Sequence, residues 1–331
     1  MNKDQKLLLS MTASPHIKSP IKTKNLMADV LLALMPMLVW AIYIFGLRAL
    51  TITLISVLSC VIFELVYRKL AKKSCSIGDL SAVVTGVLLA YSLPVSVPLW
   101  LPVVGSFFAI VIVKQLYGGI GKNIVNPALA ARVFLFIAYP TELTSFTYTG
   151  IEKLNAFKID VSETAEIIKA GATPLVSLKS GTVPETSALS TLIGNHAGCI
   201  GEVSALLIIL TGLFLILRGV ITWHIPVSYI ATVAVLSYIF PVSMPSLEFT
   251  MFQLFSGGLM IGAFFMATDY VTSPVTKSGR VIYGIGCGLI TIFIRYFGGY
   301  PEGVSFAILI MNLFVWYIDK ATKPKAFGGG K

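Results

Sequence analysis

Four carboxylates of this chain lie inside or at the ends of long apolar runs. Glu64 lies inside the second run, Asp29 and Asp319 flank the first and last runs, and Asp269 follows the eighth. If the runs cross a bilayer, such residues usually face the protein interior and mark ion paths. The alternative is that the side chain reaches the interface, which is the stronger interpretation for Asp319 and an equal one for Asp29. It also stays open for Glu64, which lies near the inner end of its span. We predict these four residues as candidates for ion coupling.

A threonine in a polar stretch offers a second reactive group. Thr173 follows two small residues and precedes a proline in the run Gly171–Ala172–Thr173–Pro174. The small neighbours favour an exposed hydroxyl, and the proline keeps Thr173 out of a helix interior, as a phosphoester would require. On these residues alone, a threonine that caps a helix or lies in a turn is the stronger interpretation.

The composition places these groups in a membrane. Of 331 residues, 56% are hydrophobic and only 12% are charged, whereas a soluble domain carries about 25% charged residues. The chain contains ten apolar runs: Val30–Gly46, Ala49–Tyr67, Leu80–Leu93, Val97–Val113, Val125–Tyr139, Val203–Leu217, Ile225–Phe240, Leu254–Thr268, Val281–Phe297 and Val304–Ile318. Several are shorter than the about 20 residues of a full span. We predict an all-α polytopic membrane protein with about ten transmembrane helices, some of them broken.

The basic residues predict the orientation of these spans. The net charge is +10, and with ten spans most basic loops fall on one side. That side carries Lys3, Lys6, Lys18, Lys22, Lys24, Arg68, Lys69, Lys72, Lys73, Lys122, Arg218, Lys277, Arg280, Lys320, Lys323, Lys325 and Lys331. By the positive-inside rule it is the cytoplasm. We therefore predict a protein of the cell's inner (plasma) membrane with both termini cytoplasmic. The charges form no single patch, which argues against nucleic acid as a partner.

These boundaries divide the chain into five segments. They are a cytoplasmic N-terminal segment (1–25), a first transmembrane repeat (26–139), an extracytoplasmic loop (140–201), a second transmembrane repeat (202–319) and a cytoplasmic tail (320–331). Long loops between spans are uncommon unless they are functional. The loop 140–201 contains Thr173.

An internal repeat relates the two membrane segments. Ile110–Leu129 and Ile290–Leu309 both contain an apolar helix, a charged residue, an aromatic residue, Gly-Gly, a polar turn and a new helix. Upstream of each is a glycine-containing helix that ends early. Because each half has about five spans, the repeat is inverted in the membrane. Such folds bind their ligand near the midplane, at broken helices in matching positions.

Other familiar chemistries find no support in the sequence. Cys60, Cys75, Cys199 and Cys287 lack C-x-x-C spacing, and the three histidines are isolated from one another. We therefore predict neither a metal site nor a disulfide frame. The sequence has no H-E-x-x-H, P-loop or G-x-S-x-G motif, and we assign no catalytic residue.

Several motifs together carry a family resemblance over nearly the whole chain. They are Ser14–Ile17, Gly118–Asn123 with Asn126–Pro127, Gly171–Thr173, Gly262–Asp269 with Thr272–Pro274, and Tyr300–Gly303. With them the chain resembles the NqrB/RnfD family of membrane subunits. The resemblance is to the RnfD subunits of the Rnf ion-translocating oxidoreductase complexes and, more distantly, to the NqrB subunit of the sodium-pumping NADH:quinone oxidoreductase.

The resemblance implies a flavin-carrying role. It implies FMN esterified through its phosphate to Thr173 of the Gly171–Ala172–Thr173 motif, and a second, noncovalent riboflavin or FMN in the membrane part. It also implies a complex that passes electrons between reduced ferredoxin and NAD, coupled to sodium or proton movement. The partners would be the other subunits, including a second FMN-bearing subunit and iron–sulfur subunits. The chain departs from the usual motif at Ala170, where the family has Ser or Thr, and at Ile167, where it has Asp.

The two broken-helix regions are the candidates for the second flavin. In the first, the backbone N–H groups of Gly118, Gly119, Gly121 and Lys122 could hold a phosphate or ribityl chain, and Asn123 and Asn126 could bind a ring edge. In the second, Thr268, Asp269, Thr272 and Ser273 could line a cofactor or ion site. Glycine-mediated helix packing and ordinary capping explain both regions equally well.

A solute channel or transporter is the alternative function, because a five-plus-five inverted repeat is also a channel architecture. The loop 140–201 with its Gly-Ala-Thr motif favours the flavin carrier. The purified protein would be yellow in the first case and colourless in the second.

Overall fold

The fold is described by a computed structural model that covers most of the chain. The described residues are 22–74, 76–149, 168–170, 173–182, 184, 187–194, 198–202, 204–242 and 244–324. Gly171, Ala172, Ile167, the motif Ser14–Ile17, nearly all of the segment 1–25 and most of the tail 320–331 lie outside these ranges.

The described part of the chain is almost entirely helical. Its elements are α1 (Thr23–Phe45), α2 (Leu47–Leu70), α3 (Ser81–Tyr91), α4 (Trp100–Phe107, continued by a π-helix Phe108–Gln115), α5 (Pro127–Ala138), α6 (Pro140–Thr144), β1 (Thr147–Thr149), β2 (Ile168–Ala170), α7 (Pro174–Lys179), α8 (Ala188–Ile193), α9 (Ala205–Leu217), α10 (His224–Ile239), α11 (Ser246–Phe255), α12 (Leu259–Ile261, continued by a π-helix Gly262–Met266), α13 (Lys277–Phe297) and α14 (Val304–Thr322), with 3-10 turns at Ile77–Asp79 and Ile200–Glu202. The strands β1 and β2 form one antiparallel pair.

Helix length and composition confirm the predicted polytopic membrane fold. Among the described helices, α1, α2, α13 and α14 are long and apolar enough to cross a membrane, and α11 with α12 forms a further candidate bent by 60°. The five shorter apolar helices are α3, α4 with its π-helix, α5, α9 and α10. Each of the ten predicted runs corresponds to one of these segments.

The distribution of side chains is the reverse of that in a soluble protein. Large apolar side chains cover the outside, with Leu32 61% and Phe293 63% exposed, whereas the charged residues Glu64, Lys114 and Arg132 are at most 5% exposed. A soluble protein rarely exposes such an apolar surface or buries such charges. Both features are expected when lipid surrounds the bundle and the charges face its interior.

The two halves use the same packing order. In each half the second helix packs on the fourth (α2 on α4, α10 on α13) and the fourth packs on the fifth (α4 on α5, α13 on α14). The first helices of the two halves, α1 and α9, pack on each other, as do the fifth helices, α5 and α14. This order is the one that the predicted repeat requires.

The two ends of the bundle are named here for their buried charges. The Glu64 end contains the C-terminus of α2 and the turn at Gly119, whose Cβ position lies 2.7 Å from the Arg68 guanidinium. The Arg132 end contains the segment after α3, which is bridged to Cys199, and the turn after α13. The two Gly-Gly turns of the repeat therefore lie at opposite ends, as expected for inverted halves.

One predicted run, Leu254–Thr268, is wrong as a single helix. The helix is interrupted at Gly257 and Gly258, which have φ values of +71° and +68°. Only glycine adopts this conformation readily, so α11 ends at Phe255 and a new helix begins at Leu259. The second break, after Thr268, is present where the sequence predicts it.

Close helix contact at Gly86 provides a test of the packing. A Cβ added there would lie 2.7 Å from the Val57 Cα and 3.1 Å from the Ser56 carbonyl oxygen. Because both atoms belong to the α2 backbone, we expect Gly86→Ala to push α2 and α3 apart at a cost of about 1–3 kcal/mol. The midpoint of thermal unfolding in detergent should fall.

Gly78→Ala is the matched control, because no atom lies within 4 Å of its Cβ position. An unfolding midpoint for Gly86→Ala equal to that of the Gly78 control would contradict the close contact.

Candidate functional site

A cavity of about 400 Å³ lies between the two halves and joins the two predicted broken-helix regions. Gly121, Asn123 and Asn126 line it from the first half, and Thr268 and Asp269 line it from the second. Lys114 and Ser81 add polar groups to walls that are otherwise mainly apolar. Ligand pockets are typically about 300–1,000 Å³, with apolar walls and a few placed polar groups. The cavity therefore has the size and character of a small-molecule site.

Asn126 ties the two halves together at this cavity. Its side-chain oxygen caps α5 by accepting from the N–H groups of Ala128 and Leu129 at 3.0 and 3.3 Å. Its amide nitrogen donates to the Met266 carbonyl oxygen across the repeat at 3.2 Å. The buried Asn312 amide adds a bridge, since in its best-satisfied orientation it accepts from the Asn126 N–H and donates to the Thr272 carbonyl oxygen. Asn126 thus has a structural role beside any contact with a ligand.

The glycine-rich turn is shaped mainly by packing against basic side chains. Gly118, Gly119 and Gly121 have φ values of +116°, +98° and +84°, which favour glycine. Gly119 lies against Arg68, and Gly118 lies against the Lys122 side chain. Of the predicted residues in this turn, Gly121 and Asn123 line the cavity, whereas Gly118, Gly119 and the exposed Lys122 do not.

The polar groups of the second broken-helix region form hydrogen bonds mainly with one another. The Thr268 hydroxyl donates to the Phe264 carbonyl oxygen at 2.6 Å, and the Thr272 hydroxyl donates to Asp269 Oδ2 at 3.1 Å. The Ser273 N–H donates to the Asp269 carbonyl oxygen at 3.1 Å. Thr268 and Asp269 face the cavity, while Thr272 and Ser273 support the turn behind them.

Glu64 lies in a buried ionic group at the wall of the cavity, which we call the Glu64 cluster (Glu64, Arg68, Ser76, Ser81, Lys114). Its carboxylate is fully buried. Lys114 Nζ donates to Glu64 Oε2 at 2.8 Å and to Ser81 Oγ at 2.6 Å. Arg68 Nε lies 3.8 Å from Glu64 Oε1, and the Ser76 hydroxyl donates to the same oxygen. The side chain does not reach the interface and faces the interior, and its ion-coupling role stays a prediction.

Asp29 and Asp319 lie nearer the surface and have local partners. Asp29 Oδ1 accepts from Arg218 Nη2 at 2.9 Å in an ion pair whose arginine is 57% exposed. Asp319 Oδ1 accepts from the Val275 N–H at 3.0 Å. These contacts fit the interfacial interpretation, and the coupling role of both residues stays a prediction.

A second buried ionic group, at the Arg132 end, was missed by sequence reasoning. Arg132 forms an ion pair with Glu302 and lies 3.9 Å from Glu202 Oε1. Its Nη2 lies 3.6 Å from the Cys199 sulfur. An arginine inside the run Val125–Tyr139 is as unusual as Glu64 inside its own run, and that signal could have identified it.

Arg295, close by, is held by neutral oxygens. It donates to the Gln253 carbonyl and side-chain oxygens at 2.5 and 2.8 Å, to the Ser256 carbonyl at 3.2 Å and to the Glu302 carbonyl at 2.9 Å. These bonds fix the broken helix α11–α12 against α13.

Cys199, Glu202 and Glu302 are close enough to hold a metal ion, with one donor atom each within 4.8 Å of the others. The Arg132 guanidinium, however, already pairs with both carboxylates. A cation would have to displace this arginine from its buried position, so the group fits an ion-pair network better than a metal centre.

Thr173 is buried, in contrast to the exposed hydroxyl that the sequence predicts. It is 6% exposed because Leu175 and Leu178 of the following helix α7 pack on Phe249 and Phe252 and draw the segment onto the bundle. Thr173 is the N-cap residue of α7, but its hydroxyl makes no capping hydrogen bond. Within the described residues this hydroxyl has no hydrogen-bond partner. A buried polar group without a partner costs about 1–3 kcal/mol, and Thr173 directly follows residues that lie outside the described ranges.

Comparison with known proteins gives consistent matches along almost the full chain. The model of the NQR2, RnfD, RnfE family matches residues 10–328. The chain is 46% identical over 325 residues to the D subunit of the Na(+)-translocating ferredoxin:NAD(+) oxidoreductase complex of Acetobacterium woodii, covering 97% of this chain and 96% of that protein. It is 38% identical over 331 residues to the D subunit of the proton-translocating ferredoxin:NAD(+) oxidoreductase complex of Clostridium ljungdahlii, covering 98% of this chain and 97% of that protein. It is 37% identical over 348 residues to the D subunit of the ion-translocating oxidoreductase complex of Aliivibrio salmonicida, covering 97% of this chain and 99% of that protein.

The Arg132 network leads to a prediction about pH. Glu202 precedes α9 and lies outside the spanning helices. Burial, and then the neighbouring Glu302 carboxylate, raises the pKa of Glu202 to about 7, while Arg132 opposes the shift. A glutamate in the unfolded chain has a pKa of about 4.3. Between that pH and about pH 7, the folded state therefore holds a proton that the unfolded state has released. Stability should therefore be greatest below this window and be lost as the pH rises through it.

Glu202→Gln removes this titration, and its unfolding midpoint should fall less than that of the parent between about pH 5 and about pH 7.5. The control is Glu248→Gln, an exposed carboxylate on α11, which should keep the parent's pH dependence. Identical pH dependence in the parent and Glu202→Gln would show that Glu202 does not titrate in this range.

Proposed function

This chain belongs to the NQR2, RnfD, RnfE family, and on that premise we propose that it is the flavin-carrying RnfD subunit of a ferredoxin:NAD oxidoreductase complex. The complex couples electron transfer to sodium or proton translocation, and the chain works as one of its subunits. The proposal rests on relatives from such complexes that match over nearly the full length of both chains. The partners would be the lipid bilayer and the other subunits of the complex, including a second FMN-bearing subunit and iron–sulfur subunits.

The unsatisfied hydroxyl of Thr173 is the observation that carries the flavin assignment. Within the described residues the buried hydroxyl has no hydrogen-bond partner, and esterification to the FMN phosphate would remove its O–H donor. The neighbouring helix α7 borders a cavity of about 510 Å³ that is lined by aromatic residues such as Phe240 and Tyr296 and by the cations of Lys179 and Arg295. Aromatic faces can pack a planar ring, and the Lys179 ammonium suits a phosphate, whereas the Arg295 guanidinium is already bonded to protein oxygens. These residues beside α7 would hold an FMN group attached to Thr173.

The cavity between the halves fits the second, noncovalent flavin. Its apolar walls would hold the ring, and Lys114, Ser81, Asn123 and Thr268 would offer polar contacts to riboflavin or FMN. Flavin supplies one- and two-electron chemistry, which no side chain of this site can provide. The role of the protein is to exclude water, orient the ring and set its electrostatic surroundings.

The orientation follows from the charges. The basic ends of α2, α9 and α14 lie at the Glu64 end, so we place this end in the cytoplasm, with both termini there and the Thr173 segment outside, in the cell's inner membrane. The noncovalent flavin would then lie nearer the cytoplasm than the covalent FMN.

Cysteine labelling tests this topology. In a variant with Cys75 replaced by Ser, a cysteine at the exposed residue Thr182 should react with a membrane-impermeant reagent in intact cells. A cysteine at the exposed residue Lys323 should react only after the cells are opened. The remaining cysteines, Cys60, Cys199 and Cys287, are buried and should stay unlabelled. The reverse pattern would contradict the orientation.

Two substitutions should separate the two flavins. A phosphoester survives denaturation, whereas a noncovalent flavin is released. The protein, made with the flavin transferase, should give a fluorescent band on a denaturing gel, and Thr173→Val should abolish that band while the extractable flavin remains. Val84→Phe, which fills the cavity between the halves, should do the opposite and lower the extractable flavin while the band remains.

Thr182→Val in the same segment as Thr173 and Leu58→Phe on the exposed face of α2 are the matched controls. Both should retain both flavins. Fluorescence on the denatured Thr173→Val chain would place the covalent attachment elsewhere. A colourless parent protein would favour the solute channel or transporter instead.

A further inference from the structure

Lys114 connects the cavity between the halves to the buried carboxylate of Glu64. Its side chain lines the cavity, is 3% exposed, and donates to Glu64 Oε2 at 2.8 Å. We propose that Lys114 is a positioning residue that converts a change of charge in the cavity into cation uptake at Glu64. This inference rests on the proposed function, because it takes the cavity ligand to be a flavin that gains negative charge when reduced.

The local charges make Lys114 responsive to such a change. The Glu64 cluster contains two cations, Lys114 and Arg68, and only one buried carboxylate. The other titratable groups facing it are Asp79, whose Oδ1 accepts from the Ser81 hydroxyl at 2.6 Å, Cys60 one turn earlier on α2, and Asp269 across the cavity. Lys114 is the cation of this group that lines the cavity, so a negative charge that arrives there attracts its ammonium.

The hydrogen bonds of Lys114 allow its ammonium to interact with two anions, the Glu64 carboxylate and a negatively charged ligand in the cavity. Ser81 Oγ holds the ammonium at 2.6 Å from one side, so Lys114 stays tethered when its bond to Glu64 weakens. Lysine carries a compact charge on a flexible stem. It also lies in the π-helical continuation of α4, and such irregular turns occur frequently at functional sites.

The proposed step balances charge. One electron, delivered by a low-potential iron–sulfur carrier, adds one negative charge to the cavity ligand, and Lys114 shifts its ammonium toward it. The Glu64 carboxylate then keeps Arg68 Nε at 3.8 Å but has a weakened bond to its closer partner, which favours the binding of another cation. It takes up one proton or one sodium ion from the Glu64 end. When the electron leaves for the next redox group, Lys114 returns to Glu64 and one cation is released.

A buried amide beside Lys114 supplies an independent sign of a small ligand there. Gln115 is fully buried, and neither its amide oxygen nor its nitrogen has a hydrogen-bond partner within the part of the chain that the structure describes. Its oxygen and the Arg68 guanidinium both face Gly119. A hydrated or bare cation near Glu64 would satisfy this oxygen.

The test is a redox titration of the noncovalent flavin in the purified complex at several sodium concentrations and pH values. In the parent, the flavin potential should rise with the concentration of the coupled cation, because the cation binds better to the reduced state. In Lys114→Met the potential should be lower and its dependence on the cation should be lost. Lys114→Arg keeps the charge and should restore both. Lys69→Met, which removes an exposed charge from the same end of α2, should behave like the parent.

A double variant that replaces both charged residues controls for misfolding of the single variant. Lys114→Met leaves Glu64 without its close partner, so a double variant, Glu64→Gln with Lys114→Met, removes both charges and should assemble even if the single variant does not. It should also lose the cation dependence. Glu64→Gln alone should lose this dependence but keep a raised potential, since Lys114 remains beside the cavity.

Two outcomes count against the inference. One is a cation-dependent potential that persists in Lys114→Met or in the double variant. The other is a flavin potential that does not depend on either cation in the parent. A parent complex without extractable flavin would instead refute the assignment of the cavity, which is a failure of the proposed function and is recognised before any titration.

Discussion

The buried ion pair between Lys114 and Glu64 constrains how the surrounding helices pack. It is 2.8 Å long and almost wholly removed from solvent. Removing one partner of such a pair leaves an uncompensated charge, which typically costs about 3–5 kcal/mol. The helices that carry the two residues must therefore stay in register. Gly86 permits this by bringing α3 against the α2 backbone, and Ser81 at the start of α3 then reaches Lys114.

The same pair is the basis of the proposed coupling. Under that proposal, an event that draws the ammonium away from Glu64 leaves Arg68, 3.8 Å away, as the nearby buried counter-ion, and this favours the uptake of a cation. Such coupling would need no large movement of helices. The network at the Arg132 end differs, since Arg132 is shared by Glu202 and Glu302.

The sequence predicts the membrane fold well because each span is signalled locally by its own apolar residues. The details that failed are those that depend on distant contacts. Thr173 is buried because Leu175 packs near Phe249, far away in the chain, and no local pattern reports this. The run Leu254–Thr268 is largely apolar, so its composition predicts a continuous helix and does not report the interruption at Gly257 and Gly258. Arg68, one turn after Glu64 on the same helix, is a counter-ion that the sequence spacing could have indicated. The closer counter-ion, Lys114, lies 50 residues away, and no local pattern reports it.

The relatives raise a question of ion identity that the Glu64 cluster helps to answer. One relative is named as sodium-translocating and another as proton-translocating, yet both match this chain over almost its full length. The choice of ion is therefore unlinked to the overall fold. If Glu64 exchanges the Lys114 ammonium for a cation, as proposed above, either ion supplies one positive charge to the same carboxylate. Selectivity would then come from the neutral oxygens around Glu64. A proton needs only the carboxylate, whereas a sodium ion needs several oxygen ligands. The Ser76 hydroxyl and the Gln115 amide, which has no hydrogen-bond partner among the described residues, are the nearby groups that could supply such ligands.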